Sequence, residues 1–244
     1  MATINITGPT GRATQTIAQN NYYNNTDRTT KSDTNEKTRI LLVFANPRYT
    51  EPLLLSREER TIRAAIGRSK GRDSFEISTC PAATIDDLRE ALLDNDYRIV
   101  QISGHGSTCG LMFEDETGQP NVIAQEALAE LFAAHARPEG QLECVILNAC
   151  YSMTQGTLIS LGVGYTIAME GRVYDSASIE FSRGFYDGIG AGKSVEFSYR
   201  EGVRSVTLKK LHSSFRSKII PQKKKHDSDS GNPEEVISPA SSSP

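Results

Sequence analysis

Two side chains in this sequence are able to act together on a carbonyl carbon. Cys150 offers a thiol, and His105 offers an imidazole 150 − 105 = 45 positions earlier. A cysteine attacks as its thiolate, and an ordinary thiol is only a few per cent ionised at neutral pH. It needs a base beside it, and histidine is the side chain whose proton moves near neutrality. The local sequence suits both roles. His105 sits between glycines in Ser103-Gly104-His105-Gly106-Ser107. Such a turn lets backbone approach a substrate closely and leaves the Gly106 N–H able to point at a developing oxyanion. Cys150 ends Val145-Ile146-Leu147-Asn148-Ala149-Cys150, where an apolar run gives way to a loop and helix whose N–H groups favour a thiolate. Taken singly, each has a bland reading: a histidine near a strand end is commonly structural, and a cysteine there commonly packs as a small hydrophobe. Their pairing at the ends of what should be neighbouring strands carries the prediction of a His105–Cys150 dyad.

The other cysteines and histidines offer less. Cys144 lies inside the apolar run and reads as core. Cys80 ends a strand before Pro81 and reads as structural. Cys109, four residues past His105, is the rival nucleophile. His135 closes a helix, and His212 and His226 fall in a polar tail. No C-x-x-C pair occurs, so neither a zinc site nor a redox motif is spelled out, and no metal or cofactor is expected.

The elements that must position the dyad follow from hydrophobic patterning. Apolar runs at Ile40–Phe44, Ile99–Ser103 and Val145 onward, the first of them unbroken, predict strands buried on both faces of a parallel sheet. Phe75–Thr79 and Tyr165–Met169 supply two further strands. Ser56-x-x-Glu59 and Thr84-x-x-Asp87 read as capping boxes opening helices. Residues 111–123 read as a hairpin turning near Gly118. Helices are predicted over Ala127–Phe132, near 176–189 and near 193–207. Strands alternating with helices imply right-handed βαβ units, in which functional groups collect at the carboxyl ends of the strands.

Composition frames this domain with unusual ends. The 244 residues carry a net charge of −3, with 37% hydrophobic and 23% charged residues, so nothing global points to nucleic acid or a membrane. Met1–Thr10 has no secretory pattern, and no apolar run reaches the roughly 20 residues that span a bilayer, so a cytoplasmic protein is expected. Residues 1–38, rich in Asn, Thr and Gln, are expected to be disordered. Ile4–Thr7 and Gln15–Asn25 nevertheless have the composition of segments that stack as cross-β, so self-assembly through residues 1–30 is also expected as a possibility of the sequence. Residues 212–244, basic and then Ser-, Pro- and acid-rich, read as a flexible tail.

Ile102-Ser103-Gly104-His105-Gly106, Leu111–Gly118, Val145–Ser152, Gly184-Phe185-Tyr186-Asp187 and Gly190-Ala191-Gly192-Lys193-Ser194-Val195 together resemble the CHAT family of bacterial caspase-like peptidases. The resemblance spans 39–211, and the 45-residue interval is near the roughly 50 between base and nucleophile in caspases. It implies an α/β fold, a caspase-like three-layer α/β/α sandwich around a mostly parallel sheet. It implies His105 as base, Cys150 as nucleophile, and the N–H groups of Gly106 and Cys150 as oxyanion donors. The activity implied is that of a cysteine endopeptidase acting on a partner protein, as a bacterial immune or cell-death effector under an upstream sensor or activator, with self-processing of its tails. In the related separase pattern an acidic residue after the nucleophile's neighbouring strand receives arginine; Asp175 occupies that neighbourhood, with Glu170 nearby. A helix N-cap is the plainer reading of Asp175. The acid found two residues before the nucleophile in metacaspases is Asn148 here. The N-terminal segment loosely resembles amyloid-type signalling motifs of bacterial immune effectors. The competing function is an inert caspase-like module assembling through that segment. A nucleotide-binding domain is disfavoured, because no Gly-rich phosphate motif follows the first strand.

Overall fold

The computed structural model describes residues 37–222, apart from Glu139 and the side chain of Ser214. The predictions made for residues 1–36 and for those after Gln222 lie outside the described residues.

A six-stranded sheet runs in the order β2-β1-β3-β7-β8-β9. Its strands are β1 (Thr38–Ala45), β2 (Phe75–Cys80), β3 (Ile99–Gly104), β7 (Cys144–Asn148), β8 (Tyr165–Met169) and β9 (Ser217–Pro221). All neighbours are parallel except β8 and β9. β4 (Gly106–Ser107), β5 (Gly110–Glu114) and β6 (Pro120–Ile123) form a separate antiparallel sheet.

The unbroken apolar strands have the cause that their pattern implies. Successive side chains of a strand point to opposite faces. Ile40, Leu42 and Phe44 pack into one core, with Ile62 and Ile66 of α1 (Leu55–Arg68), Phe181 and Phe185 of α5 (Asp175–Gly190) and Val206 of α6 (Val195–Leu208). Leu41 and Val43 enter a second core on the other face. Leu88 of α2 (Ile85–Asp94), Leu128 of α3 (Gln125–Ala134) and Ile159 of α4 (Met153–Ile159) meet them there. Two cores and two helical layers make the expected three-layer sandwich. Each fully buried Leu or Ile adds about 1.5–3 kcal/mol of transfer free energy.

Local signals were met at one capping box and not at the other. At α2 the Thr84 hydroxyl accepts from the Asp87 N–H, and the Asp87 carboxylate accepts from the Thr84 N–H. At α1 the cap residue is Leu54, and no side chain within the segment caps it. Glu59, expected to complete that box, instead binds Arg63 and Thr79. A second correction concerns the C-terminal side. The tail expected from residue 212 contains β9, which pairs residue by residue with β8 from Tyr165↔Pro221 to Met169↔Ser217. Its short run Ser217-Lys218-Ile219-Ile220-Pro221, only partly buried and ending in proline, suits an edge strand, and the surrounding lysines masked it.

Candidate active site

Sheet register brings the two predicted residues together. β3 and β7 are adjacent and parallel, with Ser103 opposite Asn148. His105 lies 105 − 103 = 2 residues beyond one of these, and Cys150 lies 150 − 148 = 2 beyond the other. Neighbouring strands are about 4.8 Å apart, so the two leave the sheet side by side. Both line one cavity, together with Glu58, Asn148, Val173 and Asp175.

The turn around His105 has little room. A Cβ at Gly104 would lie 2.6 Å from the Ala45 carbonyl oxygen, and one at Gly106 would lie 2.3 Å from that of Cys150. Glycine at 106 therefore lets the histidine turn and the cysteine turn touch through backbone. The imidazole is fixed by the loop after β1. Its Nε2 is 2.9 Å from the Glu51 carbonyl oxygen and 3.3 Å from Asn46 Oδ1. A carbonyl only accepts, so Nε2 carries the hydrogen, and in the neutral ring the lone pair sits on Nδ1. Asn46 is itself anchored: its N–H donates to Glu114 Oε1 at 3.1 Å, in the hairpin strand β5.

Cys150 is held in an equally determined turn. Tyr151 takes a φ of +54°, in the left-handed region that non-glycine residues rarely enter. Its N–H donates to the Gly171 carbonyl at 3.1 Å. The buried Ser152 hydroxyl donates to the Leu147 carbonyl at 3.1 Å and accepts from the Met169 N–H at 3.0 Å, bridging the ends of β7 and β8. The Val173 N–H lies 3.4 Å from the Cys150 sulfur, a donor placed where thiolate charge would reside. Of the remaining cysteines, Cys144 is fully buried in β7 and burial pushes its thiol far up; Cys80 is raised by burial too; Cys109 is exposed on the β4–β5 turn. Neither Cys80, Cys109 nor Cys144 lines the cavity.

The two acidic candidates fare differently. Asp175 lines the cavity, and its Oδ2 accepts the Leu54 N–H at 2.8 Å, which caps α1 from 121 positions away. It is the first residue of α5, whose N-cap is Tyr174, so the plainer reading of Asp175 as that cap is corrected. Glu170 pairs with Lys218 across the β8–β9 edge and does not line the cavity.

Sequence reasoning missed Glu58. Its side chain is 3% exposed, and its Oε1 accepts from Gln101 Nε2 at 2.7 Å, Asn148 Nδ2 at 2.6 Å and the Ser182 hydroxyl at 2.8 Å. Burial pushes its carboxyl above the usual range against the lowering effect of hydrogen bonds from Ser182, Asn148 and Ser103, and nearby Asp175 adds to the rise. The available signal was positional. Glu58 leads Ile62 and Ala65 by four and seven residues on the buried stripe of α1.

With this geometry in place, comparison with known proteins becomes informative. The CHAT domain family model matches residues 11–224. The chain belongs to the CHAT domain family. A Roc-COR-CHAT protease from an unknown prokaryotic organism is 25% identical over 192 residues, 77% of this chain but 18% of that protein. The chain thus spans less than a fifth of that relative's length. Among solved structures, the Arg specific cysteine proteinase gingipain R matches with a TM-score of 0.52 at 11% identity, over 75% of this chain and 46% of its own. Caspase-1 from Spodoptera frugiperda also gives 0.52, at 9% identity, over 77% of this chain and 87% of its own. These likenesses make the fold caspase-like. Among the described residues, no helix is long and apolar enough to cross a membrane.

Proposed function

We propose that this CHAT protein is a cysteine endopeptidase in which His105 and Cys150 form the catalytic dyad. The observation that carries the reading is the shared Ser103↔Asn148 register, which sets both residues at one level on adjacent strands beside one cavity. His105 Nδ1, the nitrogen left unprotonated by the Glu51 carbonyl, takes the Cys150 proton. The thiolate then attacks the scissile carbonyl carbon, and its π electrons move to oxygen. The N–H groups of Gly106 and Cys150 receive that oxyanion. The intermediate collapses as the imidazolium returns the proton to the leaving amine, which departs and leaves a thioester on Cys150. Water, deprotonated by the same Nδ1, cleaves the thioester to release the acid and restore the thiol. Asp175 forms part of the wall that meets the substrate side chain.

The substrate class is a partner protein, and the setting is bacterial defence or regulated cell death, triggered by an upstream sensor. Support for a protein substrate comes from family membership and from the protease named among its relatives. The test is cleavage of a mixed fluorogenic peptide library. Activity present in the native chain and lost in Cys150→Ala is expected, with His105→Ala reduced at least about 100-fold. Cleavage unchanged in Cys150→Ala would refute the dyad.

A further inference from the structure

The floor of the catalytic cavity is rich in hydrogen-bond acceptors and carries no cation. Its ionisable lining residues are Glu58, His105, Cys150 and Asp175, with neither Lys nor Arg among them. Glu58 enters none of the ion pairs among the described residues. Gln101, Asn148 and Ser182 all donate to its Oε1, and the residue lines the cavity. Two further acceptors stand next to it without partners. Asn148 Oδ1 and Gln101 Oε1 are buried and make no hydrogen bond. Both amides turn their NH₂ groups to Glu58 and leave their oxygens unsatisfied. An unpaired buried carboxylate is costly, and each orphaned acceptor adds to the cost.

We infer that the cavity receives an arginine or lysine side chain of the substrate, and that Glu58, rather than Asp175, is the carboxylate that meets it. The inference rests on the peptidase reading and names the side chain that reading requires. A guanidinium has five donors in a planar fork, enough to engage the Glu58 carboxylate and the Asn148 amide oxygen together. Asp175 has already committed Oδ2 to the Leu54 N–H, so its part is to hold α1 in place. The position two residues before the nucleophile is neutral Asn148, and its amide holds the acid that arrives from α1.

The test uses the full chain carrying Cys150→Ala, titrated calorimetrically with two acetylated tripeptide amides, Ala-Ala-Arg and Ala-Ala-citrulline. Citrulline keeps the shape of arginine and removes its charge. The arginine peptide is expected to bind about 10- to 100-fold more tightly. Adding Glu58→Gln should abolish that preference, while adding Asp175→Asn should weaken both peptides alike and keep it. Thermal melting confirms that each variant is folded. Equal binding of the two peptides, binding of neither at millimolar concentration, or a preference that survives Glu58→Gln and disappears with Asp175→Asn would overturn the inference. Because binding is read without turnover, this failure is distinct from failure of the peptidase reading, which the library comparison of native chain and Cys150→Ala decides.

Discussion

His105 is oriented by backbone more than by side chains. The Glu51 carbonyl fixes which nitrogen carries the hydrogen, and the Asn46 side chain and Glu114 steady the loop that supplies it. No second carboxylate is needed to set the tautomer, because a carbonyl is an acceptor in every protonation state. Gly106 is constrained from the other direction. Its missing Cβ is what allows the Cys150 carbonyl to approach, and its N–H is the proposed oxyanion donor. Gly106→Ala should force the two turns apart, because its Cβ would otherwise sit 2.3 Å from the Cys150 carbonyl oxygen. A loss of about 100- to 1000-fold in kcat is expected, the usual effect of removing one oxyanion donor, with KM changed less. A variant that keeps native kcat would show that Gly106 is required only for packing. Cys150 and His105 were legible in the sequence because their neighbours are unusual: glycine on both sides of one, and an apolar run broken at the other. Glu58 was not legible. In Ser56-Arg57-Glu58-Glu59 it looks like a polar helix start, and only Gln101, Asn148 and Ser182, 43 to 124 positions away, make it a buried group.

Among the elements, the central strands were legible for a plain physical reason. A strand covered by helices on both faces is apolar at most positions, with Gln101 and Asn148 accommodated here by their bonds to Glu58, and such runs are rare elsewhere in a chain. The start of α1 and the edge strand β9 were hidden because their determinants are not local. The Leu54 N–H is satisfied by Asp175 across 121 positions, so the Ser56 capping pattern had no work to do. β9 has one neighbour, β8, and its partly exposed residues tolerate lysine and proline. Ser152 is the element-level joint of the site. Its hydroxyl ties the carboxyl end of β7 to that of β8, immediately after the proposed nucleophile Cys150. Ser152→Ala would leave a buried carbonyl and a buried N–H each short of a partner, at a cost of about 1–3 kcal/mol for each group left unsatisfied. Urea unfolding should show that loss as a lower midpoint with an unchanged slope. Activity measured well below the midpoint should fall as well, because the Cys150 turn loses its anchor. A stability loss with full activity would confine Ser152 to the fold.

At the scale of the molecule, the site is maintained against a stability cost that depends on pH. The Glu58 network joins α1, β3, β7 and α5, so its energy belongs to the whole sandwich. The folded carboxyl titrates above its ordinary value of 4.5, chiefly through burial. Between the unfolded and folded values the native state holds more protons than the unfolded chain. Linkage then requires stability to fall as pH rises. The contribution of Glu58 is fully present below about 4.5 and is lost as pH passes through the raised folded value. Glu180 works in the opposite sense. Burial pushes it up, but hydrogen bonds from Arg183 and Ser205 outweigh that, so its lowered carboxyl stabilises at higher pH and loses the contribution on acidification. Stability of the native chain alone therefore mixes opposing trends, and the informative quantity is a difference. Glu58→Gln keeps an acceptor for Asn148 and Ser182 and removes the titrating group. Relative to the native chain, this variant should be less favoured near pH 4 and should gain steadily as pH rises, ending equal or more stable at pH 8. Urea midpoints of the two proteins across that range measure it. A difference that is flat with pH would show that the folded carboxyl titrates normally. A gain in stability accompanied by loss of arginine recognition is the trade expected of a charge kept for substrate rather than for the fold.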